Sequence, residues 1–87
     1  MIKQVKLINK LFGCFVTPTI FRDEEVEFVF KSRDELIIKF ENLEREFEVW
    51  DGELYDEKRD FVCYVAELMI FTDFKHKNKE LFYEIGF

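Results

Sequence analysis

A chain of 87 residues that is 48% hydrophobic and 18% aromatic, with 12 Phe but only 3 Gly and 1 Pro, is a single domain with material for a dense core and little for long loops. That composition excludes a disordered chain. A net charge of -6 also runs against direct binding of nucleic acid, because phosphate contacts need clustered Lys and Arg.

The charge is uneven. Residues 1–22 carry Lys3, Lys6, Lys10 and Arg22 and no acid, while residues 23–60 carry 15 acids against 6 bases. Such an acidic stretch has two readings, a solvated surface that keeps a small protein soluble or a face for a basic partner. Cys14 and Cys63 are too few for a disulfide framework, and both read as small core residues of a protein in a reducing cytoplasm. The N-terminus lacks an apolar run of signal-peptide length. The longest apolar stretch, 61–71, is interrupted by Glu67 and is too short to span a bilayer.

In chain order, Ile2, Val5, Ile8 and Leu11 recur at helical spacing with Lys3, Lys6 and Lys10 opposite. This predicts an amphipathic helix over 2–12, stopped by Gly13. Residues 3–7 also partly alternate, so a strand is the alternative there. Residues 14–22 are apolar and β-branched, but Pro18 restricts them to a fourth, edge strand or an extended connection.

Residues 24–50 organise the chain. Val26, Phe28 and Phe30, then Leu36, Ile38 and Phe40, then Phe47 and Val49 each alternate with polar residues, with polar breaks at 32–35 and 42–44. Period-two alternation with short connections predicts a three-stranded antiparallel meander with those eight residues on one buried face. The other face carries Glu25, Glu27, Glu41, Glu46 and Glu48, with Lys31 and Lys39 among them, and also Val29, Ile37 and Trp50. Asp51 and Gly52 signal a turn that either closes a hairpin onto residues 53–55 or ends the third strand. From Asp56 the period changes. Phe61, Val65, Leu68 and Thr72 step along one face of a main helix expected over 57–74, capped by Asp56 and lying across the buried face of the sheet. Leu81, Phe82 and Ile85, ended by Gly86, predict a short C-terminal helix. The expected class is therefore α+β, one domain over 1–87.

Little here supports catalysis. His76 is the single histidine and lies among lysines, with no Cys or carboxylate at a ligand spacing, so neither a metal site nor a nucleophile–His–acid arrangement is expected. There is no Gly-rich phosphate loop. Paired carboxylates such as Glu24–Glu25 and Asp56–Glu57 would need a pocket that shifts their pKa values. The expectation is a protein without enzymatic activity, metal or cofactor. Acids do have another use. Residues two apart on a strand lie about 6.6 Å apart on one face, so Glu25, Glu27, Glu41, Glu46 and Glu48 would form a lattice of negative charge suited to a basic groove. Val29, Ile37 and Trp50 on that face are either covered by another element or form an exposed apolar spot, and Trp50 is counted with Glu25, Glu27, Glu41, Glu44, Glu46 and Glu48 as a candidate partner contact.

The length, the acidity and the expected order of elements resemble those of small phage-encoded anti-CRISPR proteins of the type that plugs the DNA-binding groove of a CRISPR nuclease. Leu36, Ile37, Ile38 and Lys39, the polar hairpin at 42–46, and Leu81, Phe82 and Tyr83 carry the resemblance. It implies an inhibitor that mimics DNA, with Glu41, Glu44 and Glu46 in contact with the nuclease. The chain departs from that type in having Lys75, Lys77 and Lys79 where the type is acidic. Two other readings of the residues are an acidic immunity protein or antitoxin that neutralises a cognate toxin, and an interaction module that self-associates through an apolar surface.

Overall fold

A computed structural model describes residues 2–13 and 21–77. Helix α1 (Ile2–Phe12) buries Val5, Leu7, Ile8 and Leu11 and exposes Lys3, Lys6 and Lys10, as its helical spacing predicts. It ends at Gly13, whose φ of 62° suits a residue without a Cβ. A single 3-10 turn (Asp23–Glu25) then leads into the sheet.

Among the described residues the sheet has five strands in the order β1-β2-β3-β4-β5: β1 (Val26–Ser32), β2 (Glu35–Phe40), β3 (Leu43–Trp50), β4 (Glu53–Tyr55) and β5 (Phe61–Tyr64). Every neighbouring pair is antiparallel. The expected meander is present as β1 to β3, and two further strands extend it. Asp51 and Gly52 close the β3–β4 hairpin with φ of 52° and 73°, the left-handed pair of a type I′ turn.

The expected helix over 57–74 does not form. Its place is taken by β5, a 3-10 segment (Val65–Ile70) and a short helix α2 (Thr72–Lys77). The cause lies in the turn before β5. The Asp56 Oδ1 accepts the backbone N–H groups of Lys58 at 2.9 Å and Asp60 at 3.0 Å, and Arg59 takes a φ of 66°. Asp56 thus folds the chain back on itself rather than starting a helix, and Phe61–Tyr64 pairs with β4. The extra residue Val62 makes a bulge there, since Leu54 faces Cys63 while Tyr55 faces Phe61, so Val62 and Cys63 are both buried.

The core is one cluster. The inner face of the sheet supplies Val26, Phe28, Leu36, Ile38, Phe40, Phe47, Val49, Leu54 and Cys63, joined by the buried residues of α1 and by Val65, Leu68, Phe71 and Phe74. Of the eight residues expected on this face, all are buried except Phe30, which is half-buried. The Phe28 ring lies 5.5 Å from Phe71 and 5.3 Å from Phe74, so the C-terminal elements pack onto β1.

Asp23 holds the start of α2. Its carboxylate accepts the Thr72 N–H at 3.0 Å and the Thr72 hydroxyl at 2.6 Å. Asp73 accepts the Phe28 N–H at 2.9 Å, which satisfies a donor of β1, the edge strand among the described residues, and blunts that edge against further strand pairing. Of the expected strand or connection over residues 14–22, residues 14–20 lie outside the described residues and Phe21 and Arg22 belong to no strand, and the expected short C-terminal helix also lies outside the described residues. Among the described residues, no helix is long and apolar enough to cross a membrane.

Candidate functional site

The outer face of the sheet is set by register. Residues directly opposite each other on neighbouring strands share a face, so the pairings define rows across it. One end carries charge in opposed pairs. Glu27, Lys39 and Glu44 form one row, and Val29, Ile37 and Glu46 form the next. Lys39 approaches Glu44 at 3.7 Å, and Lys31 reaches Glu46 at 3.2 Å and Glu35 at 4.0 Å. The Glu46 carboxylate holds the Lys31 ammonium above its ordinary pKa, chiefly through their hydrogen bond.

The other end is different. Glu35, Glu48, Tyr55 and Phe61 form one row, and Trp50, Glu53 and Tyr64 form the next. Glu53 therefore lies between Trp50 and Tyr64, Glu48 lies beside Tyr55, and β5 presents the two rings Phe61 and Tyr64. Trp50 is 76% exposed, Tyr64 56% and Phe61 45%. The rings contact one another, with Phe61 centred 5.1 Å from Tyr64 and 6.2 Å from Tyr55. The Tyr55 hydroxyl donates to Glu53 Oε2 at 2.9 Å, and that bond raises the Tyr55 pKa.

An open groove beside β3 is lined by Trp50 and by Asp34, Glu35, Glu46, Glu48, Asp56 and Glu57, together with the inner-face residues Phe47 and Val49. One wall is fixed by Arg45, which belongs to the inner-face register of β3. Its Nη1 donates to the Leu11 carbonyl at 2.7 Å, and its Nε and Nη2 donate to the two Glu57 carboxylate oxygens at 3.0 and 2.8 Å. The guanidinium also lies 3.5 Å from Asp56 and 5.3 Å from the centre of the Phe47 ring. It holds the Glu57 carboxyl below its ordinary pKa through these bonds.

The expected lattice of glutamates is only partly assembled. Glu27, Glu44, Glu46 and Glu48 stand on strands and are exposed, and so is Trp50. Glu25 lies in the 3-10 turn before β1, and Glu41 lies in the β2–β3 turn with a φ of 56°. Neither extends the rows of the sheet face, because the strand pairing starts at Val26 and ends at Phe40. Of the apolar residues read as outward, Val29 is 42% exposed and Ile37 is half-buried. Phe61 and Tyr64 had been hidden by the expectation of a helix over 57–74, whereas Glu53 and Tyr55 stand in the hairpin that Asp51 and Gly52 allowed. The signal for them was the Asp51–Gly52 turn followed by Phe61–Tyr64, a run of aromatic and β-branched residues.

Cys63 is fully buried, and burial, with the nearby Glu67 charge, pushes its thiol up to about 12, so it carries almost no thiolate at neutral pH. Cys14 lies outside the described residues. His76 is exposed near the end of α2. Among the described residues, no group of three or more His, Cys, Asp and Glu is placed to hold a metal ion. No protein-family model matches the chain, and no curated protein or solved structure is detectably similar to it.

Proposed function

We propose that this chain is a non-enzymatic inhibitor of the kind its outline resembles, a small cytoplasmic anti-CRISPR-like protein. It docks the outer face of its sheet into the basic groove where a nucleic-acid-binding enzyme, such as a CRISPR nuclease, holds its substrate. The observation that carries this reading is the groove itself, where six carboxylates and the exposed Trp50 line one continuous surface. Carboxylates on a sheet present repeated negative charge at a spacing fixed by the strands, which a groove built for phosphates attracts over a long range. Paired lysines offset some of that charge at one end, so the β3–β5 end is the stronger contact. Binding by charge and shape needs neither a cofactor nor a shifted catalytic group.

The test begins with capture of the partner from a host lysate, followed by calorimetric titration at low and high salt. Glu46→Lys with Glu48→Lys reverses two exposed charges of β3, and the fold tolerates both because their side chains face water. The double variant is expected to bind on the order of tenfold more weakly or worse, with the loss falling largely in the association rate. Duplex DNA is expected to compete with the parent. Equal affinity for both proteins, with no salt dependence, would overturn the proposal.

A further inference from the structure

We infer that the β3–β5 end of the outer face is an arginine-binding surface, so that the partner's anchor is an exposed arginine rather than basic charge in general. This rests on the proposed function and names the chemistry that the same face recognises. In the two rows Glu48–Tyr55–Phe61 and Trp50–Glu53–Tyr64, Glu48 has the Tyr55 ring beside it and Glu53 lies between the Trp50 and Tyr64 rings. Neighbouring strands are about 4.8 Å apart, and residues on one face of a strand about 6.6 Å apart. A guanidinium suits that spacing. Its plane stacks on a ring while its edge donates two parallel hydrogen bonds to a carboxylate. A lysine ammonium is a more strongly hydrated point charge with neither a plane nor a fork, so it gains the charge attraction alone.

Two further observations favour a cationic occupant. Trp50, Tyr64 and Phe61 are exposed at 76%, 56% and 45%, and an aromatic patch of this kind on a soluble domain marks a contact surface. The carboxylates interleaved with the rings would be costly to bury against an apolar partner and are complementary to a cation. Tyr55 is already oriented by its 2.9 Å bond to Glu53, so part of the surface is ordered before binding.

Trp50 is the only tryptophan in the chain, so its fluorescence reports occupancy directly. The experiment titrates the whole protein with oligo-arginine and oligo-lysine peptides of equal length. It follows Trp50 emission in the parent and the anisotropy of labelled peptides in every variant. The arginine peptide is expected to bind the parent at least about threefold more tightly than the lysine peptide and to change Trp50 emission. In Trp50→Ala and Tyr64→Ala the arginine advantage is expected to vanish while lysine binding stays near the parent value. Glu48→Gln with Glu53→Gln is expected to weaken both peptides. Equal affinity for the two peptides, or an arginine advantage that survives Trp50→Ala, would overturn this inference and leave the basic-partner reading standing. Failure of both peptides to bind at low salt would overturn both. A change in Trp50 emission that depends on protein concentration alone would assign the patch to a second copy of the chain and overturn the arginine reading.

Discussion

Arg45 shows how one side chain can tie three distant segments together. It sits on the inner register of β3 near the rim of the core, where its side chain is 25% exposed. It satisfies the Leu11 carbonyl at the end of α1 and clamps Glu57 in the β4–β5 turn through two bonds. Hydrogen bonds that involve charged groups contribute about 1.5–3 kcal/mol each in favourable settings, but the Glu57 side chain is 59% exposed and water screens that pair. Arg45→Ala is therefore expected to cost about 1–3 kcal/mol, read from denaturant melts, and Arg45→Lys to recover only part, because an ammonium cannot reproduce the fork. The pH dependence has a definite sign. Glu57 has a lowered pKa in the folded state, so its share of the stability is complete above its ordinary value of 4.5 and is lost as pH falls through the lower folded value. The gap between parent and Arg45→Ala is expected to narrow in that acid window without closing, since the bond to the Leu11 carbonyl does not titrate. A gap constant down to the lowest pH would show that the Glu57 pair contributes nothing.

At the scale of elements, the β3–β4–β5 end depends on backbone conformations that only some residues adopt easily. Gly52 has a φ of 73° and is buried, in a turn whose two central residues are both left-handed. A Cβ there costs roughly 1–2 kcal/mol. Gly52→Ala is expected to destabilise by about that amount and to loosen β4 and β5 first, because β4 is held on one side only by the three pairs that this turn aligns. Hydrogen exchange would show it as lost protection at residues 53–55 and 61–64 while β1 and β2 stay protected. Uniform loss across all five strands would mean that the hairpin has no separate stability. The aromatic rows depend on the same turn, so the variant is also expected to lower the exposed ring contacts that define the proposed arginine surface.

At the scale of the molecule, the described residues form one core with two unlike surfaces. Sheet, α1 and the C-terminal elements share a single cluster, so Phe28→Ala, Ile38→Ala and Leu68→Ala, all at residues no more than 2% exposed, are each expected to cost about 2–5 kcal/mol. Domains have total stabilities of roughly 5–15 kcal/mol, so each variant removes a large share, and thermal melts by circular dichroism would record it. Variants that melt like the parent would contradict a shared core. The surfaces differ in sign. Lys3, Lys6 and Lys10 line a groove between α1 and the Val65–Ile70 segment, on the side of the core away from the acidic outer face. Under the proposed function, that polarity would orient the protein as it approaches its partner, presenting the sheet to a basic groove and turning α1 away from it.

What the residues by themselves determined is what local physics determines. Helix α1 occupies the span its 3.6-residue spacing predicts, because a stripe of Val5, Ile8 and Leu11 can be buried together only on a helix. Strands β1 to β3 and their faces follow from period-two alternation, in which a slip of one residue would expose every Phe. The stretch from 57 to 74 was different, because a short apolar run fits a strand as well as a buried helix. Its fate turned on the left-handed Arg59, the Asp56 side-chain bonds and the open edge of β4, and the last of these exists only once β3 and β4 have paired. The same is true of the candidate face. Glu48 and Trp50 were legible as outward residues, but their neighbours Tyr55, Phe61, Glu53 and Tyr64 were not. Only hydrogen-bonded register between strands brings those rings and carboxylates together, and register is a property of the folded sheet.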